Sequence, residues 1–485
     1  MSNPTKPNAV GSDEALWTIG GLMRPRREKA IPVEHPSLPY VGLEHIEAHT
    51  TRLLGTALSS EMRSMANRFY PGDLLYSRLR PYLNKVWLAD REGLCSAEFI
   101  VIPGNEIINA AFLGLCLNAA GFVAFANSLN AGDRPRVDFD QISVFPLPQF
   151  SLSRQRRIVA KIEELFSELD KGLENLRQAR AQLAVYRQAL LKHAFAGQLT
   201  AAWRATHAAQ LESAAQLLSR IRAELPPELE RSETPEKNEC GWLKLSLREI
   251  TPESLIGLVR ASALQNGDGR GFSYIKMDRI DMCGRVDVAP EVFVECNAGE
   301  VERFALRAGD ILFNTRNSLE LVGKNGLVRK SPPAPAVFNN NLMRIRTVSA
   351  VLPAFLNYQM CAPDFRNKME KVKKATTSVA AVYGRDLWPL VVVIPSTAEQ
   401  EQIVVELDRQ LDAIEQMEAD IETNLQKAEA LRQAILKKAF AGELVPPDPA
   451  DEPAATLLAR LRAERAAAPK LTRRQVLLSP SAPSA

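Results

Sequence analysis

The chain has 485 residues, 46% of them hydrophobic, and a formal net charge of +3. That length is too great for one ordinary core and allows about three domains. The near balance of charge excludes a chain that is basic or acidic throughout, and the longest apolar runs, such as LWPLVVVI at 387–394, fall short of the roughly 20 residues a membrane span needs.

The first region, 1–150, reads as a mixed α and β domain. It begins without the basic-then-apolar pattern of a secretory signal, and carries YVGLEHIE at 40–47 and GDLLYS at 72–77. His35, His45 and His49 lie at spacings that do not suit a metal site. Residues 151–199 follow as a long helix, entered through the proline-rich FPLP at 145–148 and stopped near Gly197. Along it Ile162, Leu169, Leu176, Leu183 and Leu190 recur every seven residues. Ile158, Leu165, Gly172, Ala179 and Tyr186 occupy the other expected seam position, so a coiled coil is expected. Residues 200–240 read as a linker with a short helix around LLSRIRAE, 217–224.

A second mixed region spans 241–395, where about 21 Lys and Arg face about 15 Asp and Glu; it is the more basic of the two. It echoes the first through YIKMDRID at 274–281 and GDILFN at 309–314. It has WLKLSLREI at 242–250, for which the first region offers no clear counterpart. The second helix, 396–444, repeats the first without a gap: its end reads LRQAILKKAFAGEL (431–444) against YRQALLKHAFAGQL (186–199). Its seam is Leu407, Ile414, Ile421, Ala428 and Ile435, with Ile403, Gln410, Met417, Asn424 and Leu431 as partners and the polar Gln410 and Asn424 as register devices. The chain closes with 445–485, a docking segment echoing LLSRIRAE as LLARLRAE (457–464) and a tail expected to be disordered after about Ala466.

The fold class expected is therefore α+β: two mixed domains separated by two long helices that form an antiparallel coiled coil, in a pseudo-twofold internal repeat. Antiparallel pairing follows because a twofold across the helix axis reverses its direction. Helices of about 45 residues are about 67 Å long and would act as a ruler between the two domains. The usual catalytic constellations are missing: there is no GxxxxGK[ST] loop, no HExxH and no [DNS]PP[YFW] tetrapeptide. The six cysteines form no CxxC pair and are expected to be reduced thiols of a cytoplasmic protein. A frame that is repeated closely, carrying globular parts that have drifted apart, suits recognition better than catalysis.

Several features together resemble one family. Each helix is entered through a proline-bearing strand and a Gln (Gln155, Gln400) ahead of Ile158-Val159 or Ile403-Val404, and closed by AFAG at 194–197 or 439–442. With the tail at 442–464, this closely resembles the specificity subunit of type I restriction-modification systems, over nearly the whole chain. One position departs: Arg154 stands where Glu399 of the second copy keeps the family's glutamate. The resemblance implies a non-catalytic subunit whose two target-recognition domains read the halves of a split, asymmetric site on double-stranded DNA. It implies two methyltransferase and two restriction subunits as partners, with S-adenosylmethionine, ATP and Mg bound by them, no cofactor or metal bound by this chain, and no membrane. The alternatives are an enzyme with cryptic motifs, a coiled-coil adaptor that binds no DNA, and a DNA-reading subunit of another defence or modification system.

A DNA-reading surface needs Arg and Lys for phosphates and Arg, Asn, Gln or Thr for base edges. The stretches that follow the GDLLY and GDILF strands fit. They offer Arg78, Arg80, Asn84 and Lys85 in the first domain and Thr315, Arg316, Asn317 and Lys324 in the second. Later loops add Arg134 and Arg136, and then Lys373, Lys374, Thr376, Thr377 and Arg385.

Overall fold

The protein is seen in a computed structural model that describes residues 17–129, 132, 134–227, 235–375, 379–453, 456, 459 and 463. Thr376 and Thr377, most of the 457–464 echo and the tail beyond it lie outside the described residues. The chain divides into two compact units, 1–176 with 423–485, and 177–422. Each unit contains one globular region and a stretch of both long helices, Leu152–Phe195 and Thr397–Phe440.

In the first unit a three-stranded antiparallel sheet centres on Asp73–Ser77, between Val86–Leu88 and Phe99–Pro103. Alternate residues of a strand point to opposite faces. Leu74 and Tyr76 accordingly enter the core shared with the long helices, while Leu75 enters a second core with Val41, Phe69 and Trp87. A five-stranded sheet completes the unit, and in it Pro39–Val41 runs parallel to Gly93–Cys95. Two apolar helices, Ala110–Asn118 and Ala120–Ser128, meet at a 67° bend and pack into the core shared with the long helices. No single helix among the described residues is long and apolar enough to cross a membrane.

The second unit repeats this plan on different residues. Ile311–Asn314 is central in a four-stranded antiparallel sheet, sending Ile311 and Phe313 to one core and Leu312 to another. Phe272–Ile275 runs parallel to Ala336–Phe338, and the helices Pro353–Cys361 and Pro363–Val372 match the apolar pair of the first unit. The GD echo also has a physical basis. Asp73 accepts the Tyr70 N–H at 2.9 Å and pairs with Arg26, and Asp310 accepts the Arg307 N–H at 2.9 Å and pairs with Arg346. Each carboxylate is buried and closes the turn that launches the central strand.

The first unit does possess a counterpart of WLKLSLREI. Thr18 bridges Pro146 and caps the helix Ile19–Leu22, as Ser246 pairs with Val391 and caps Leu247–Ile250. Only one bridge remains of a four-residue strand, too little for sequence to register.

Each long helix is fastened to its globular region by the glutamine near its start. The Gln155 amide donates to the carbonyls of Ile107 and Phe150 and accepts the Asn109 N–H, all at 2.9 Å. Gln400 donates to Ala350 and Pro395 at 3.0 Å and accepts the Leu352 N–H at 2.8 Å. Both side chains are fully buried and satisfied. At the other end, Gly197 and Gly442 adopt φ of 75° and 78°, and the next amide reaches back five residues, Gln198 to His193 and Glu443 to Lys438. That helix stop requires a left-handed residue, which glycine supplies without strain.

Within each unit the helix stretches run antiparallel. In the first, Arg154 reaches Gly442 and Arg432 pairs with Asp170; in the second, Arg187 pairs with Glu418 at 2.9 Å and Arg180 with Glu422 at 3.4 Å. Ile162, Leu190, Leu407, Ile414, Ile421, Ala428 and Ile435 are buried, and Leu169, Leu176 and Leu183 are half-buried. The other seam position holds at Ile158 and Ile403, which are buried, and at Leu165, Ala179 and Gln410, which are half-buried, and is corrected elsewhere by one residue. Gly172, Tyr186, Met417, Asn424 and Leu431 are exposed, while Leu173, Arg187, Leu411, Glu418, Leu425 and Arg432 turn inward. A step of three or of four from each seam residue satisfies the same heptad, so periodicity alone does not choose between them. Asn424 is thus no register device, and Gln410 is half-buried, bonded to Tyr186 and Glu406.

Candidate nucleic-acid interface

The two basic stretches of the first unit come together. Arg78–Arg80 and Pro135–Val137 form a short ribbon in which Leu79 bridges Arg136, the Val137 N–H bonds the Arg78 carbonyl and the Arg80 N–H bonds that of Pro135. Arg78, Arg80, Arg134 and Arg136 therefore share one patch. Arg78 pairs with Asp138, and Arg136, about half-exposed, pairs with Glu98 at 2.7 Å. Arg80 and Arg134 are exposed and have no ion pair among the described residues.

The second unit builds the same ribbon. Arg316–Asn317 pairs with Ala380–Ala381, which pairs with Lys374–Ala375, and the Val382 N–H bonds the Thr315 carbonyl as Val137 bonds Arg78. Arg316 is exposed and unpaired among the described residues. Lys374 and Arg385 lie 5.9 and 5.6 Å from the exposed ring of Tyr383, and Lys374 also pairs with Asp386 at 2.9 Å. Asp386 is held below the usual carboxylate range by hydrogen bonding to Lys374. Two cations beside an aromatic ring can neutralise phosphate and stack on a base or sugar.

Other residues selected from the sequence face inward. Asn84, at φ 39°, is buried and donates to the Asn118 side chain at 2.6 Å. The Lys85 ammonium donates to the Leu43 carbonyl at 2.6 Å. Thr315 is buried and donates to the Asn341 carbonyl. Lys324 is buried and donates to the Ile280 carbonyl at 2.6 Å, with burial lowering its pKa. Lys373 is tied to Glu370 and the Leu319 carbonyl, and Asn317 accepts the Ser318 N–H. In each case a local acceptor or donor holds the polar group that was expected to meet DNA.

A cleft of about 1080 Å³ that the sequence does not announce lies beside Arg78, lined by Arg24, Arg26, Arg27, Lys29 and Asn67 among others. Arg26 is committed to Asp73 and stacks 4.7 Å over Tyr70, whereas Arg27 and Lys29 are exposed and unpaired among the described residues. Four bases in the six residues 24–29 were the available signal. The cleft and the ribbon form one basic surface in this unit, suited to a polyanion.

Comparison with known proteins gives this surface its context. No protein-family model matches the chain. The type I restriction enzyme EcoKI specificity subunit of Escherichia coli (strain K12) is 28% identical over 380 residues, covering 76% of this chain and 74% of the relative. The EcoDI specificity subunit of Escherichia coli is 34% identical over 201 residues, 40% of this chain and 44% of that one. Among solved structures, a chain from work on complex assembly and conformational transition of the type I R-M system matches with a TM-score of 0.63 at 20% identity. It covers 88% of this chain and 97% of that one, and shares the fold. The class is thus a two-unit α+β protein built on paired long helices. The chain is a homologue of the specificity subunits of type I restriction enzymes.

Proposed function

We propose that this chain is the sequence-reading subunit of a type I restriction-modification complex, recognising a split, asymmetric target on double-stranded DNA. The observation that carries the reading is the likeness to named specificity subunits across three quarters of the chain, joined to a basic ribbon repeated in both units. Each ribbon would contact one half-site: Arg80 and Arg134 with Arg27 and Lys29 in one unit, Arg316, Lys374 and Arg385 in the other. Two methyltransferase subunits and two restriction subunits would assemble with the chain and bind S-adenosylmethionine, ATP and Mg. This subunit would do no chemistry of its own.

The test is reconstitution of the chain with a methyltransferase subunit of a type I restriction-modification system. Salt-sensitive retention of duplex DNA and methyl transfer, both lost when this chain is omitted, are the expected results. An assembled complex that neither retains nor methylates DNA would support an adaptor role instead.

A further inference from the structure

The two places where one long helix begins beside the end of the other are near-repeats in sequence but opposite in charge. In the first unit, Arg154 and Arg157 at the start of the first helix meet the segment that follows the second. Arg154 donates to the carbonyls of Gly442 and Val445 at 2.8 and 3.0 Å and stacks 4.5 Å over Phe150. Arg157 makes a two-pronged pair with Asp451 at 2.9 and 2.7 Å. That segment has Asp448, Asp451 and Glu452, and no base from Val445 until Arg460.

In the second unit the signs are reversed. Glu399 and Gln402 stand where the first helix has Arg154 and Arg157. Glu399 is buried and accepts from Thr200 at 2.8 Å, Arg204 at 2.7 Å and the Trp242 indole at 3.1 Å. Arg204 also donates to the Gly197 carbonyl. The carbonyl of the glycine that stops each helix is therefore bonded by an arginine in both units. In one it comes from the facing helix start, in the other from the segment after the glycine itself.

We infer that these junctions form a charge code that lets the first helix pair with the second and prevents either from pairing with its own kind in a second copy of the chain. Two first helices paired across copies would set Arg154 and Arg157 against Arg204 without the buried Glu399 that Arg204 pairs with, and Glu212, the acid of that segment at the facing helix start, is already paired with Arg220. Two second helices would bury Glu399 facing Asp451 with no base. The gap-free repeat of the helices leaves their apolar seams close to interchangeable, so the ends must discriminate. Unlike charges at helix flanks set partner choice, and a buried unpaired charge is strongly unfavourable. The consequence is a subunit that keeps two different globular regions in one particle.

The experiment exchanges the helix starts in the full chain, as R154E, R157Q, E399R and Q402R together. Both junctions within the chain then mismatch, while like helices of two copies become complementary. Relative to the wild-type chain, the variant should lose about 10 °C in melting temperature and shift toward a dimer by light scattering. Adding R204D and D451R reverses the segments after each helix and should restore the wild-type mass and most of the melting temperature. The inference is overturned if the start-exchanged chain keeps the wild-type mass and melting temperature, or if the six-site variant is no better than the four-site one. Should the four-site variant fail to fold, the six-site variant still decides: recovery supports the code and failure rejects it.

Discussion

At the scale of the residue, partner choice separates side chains available to a ligand from those already committed. Arg80 and Arg134 are exposed and unpaired among the described residues, so a phosphate can take them without displacing an acid; Arg78 and Arg136 must first leave Asp138 and Glu98. Under the proposed function, Arg80→Ala or Arg134→Ala should each reduce the slope of log affinity against log salt by about one. Asn84→Ala should leave that slope unchanged and lower the melting temperature instead, because it removes a buried bond to Asn118. Filter binding across a salt series separates the two. The sequence could show that Arg78 to Lys85 follows a strand, yet not that left-handed backbone at Arg80 and Asn84 would turn one side chain out and the other in. The buried glutamines were legible as markers ahead of Ile-Val, though their three-bond geometry was not. Gln155→Ala or Gln400→Ala strands a backbone N–H and two carbonyls and should cost about 2–3 kcal/mol, measurable by urea unfolding.

Asp451 adds a pH dependence. Hydrogen bonding to Arg157, then to Ser153, holds its carboxyl well below the usual range. A carboxylate depressed in the folded state contributes stability that is present above its unfolded pKa of about 3.9 and is lost as pH falls further. Melting temperatures taken from about pH 6 down to about pH 3 should therefore fall less steeply for Asp451→Asn than for the wild-type chain. Equal slopes would place the acid sensitivity elsewhere.

At the scale of the element, the long helices were the most legible part, because five heptads and glycine stops leave little choice. What periodicity left open was which side of each seam residue turns inward, and antiparallel packing chose the side of Leu173 and Leu425 at those places but the other side at Ala179. Gly172 lies exposed in mid-helix with nothing within 4 Å of where a Cβ would stand. Gly172→Ala should stabilise the chain by roughly 0.5–1 kcal/mol, while Leu173→Ala should destabilise it. The reverse order would restore the seam drawn from sequence. The strands were less legible, since the GD turns and the YVGLEHIE echo mark where two begin but the ribbons at Leu79 and Arg316 are only a residue or two long.

At the scale of the whole molecule, duplication explains why so much of the architecture could be anticipated and so little of the recognition surface. The repeated glutamine clamps, GD turns and helix stops are the parts both units must share. The basic clusters differ residue for residue: Arg136 stands where the second unit has Ala381, and Leu79 where it has Arg316. A protein that reads two different half-sites has reason to diverge at those positions. Replacing the globular region 241–395 with that of another specificity subunit should therefore change one half of the recognised target and leave the other intact. The most direct measurement is single-molecule mapping of methylated bases in DNA from cells that express a type I methyltransferase subunit with or without this chain. The account requires a split motif that is present with the chain and absent without it. Methylation that is independent of the chain, or confined to one undivided motif, would contradict it.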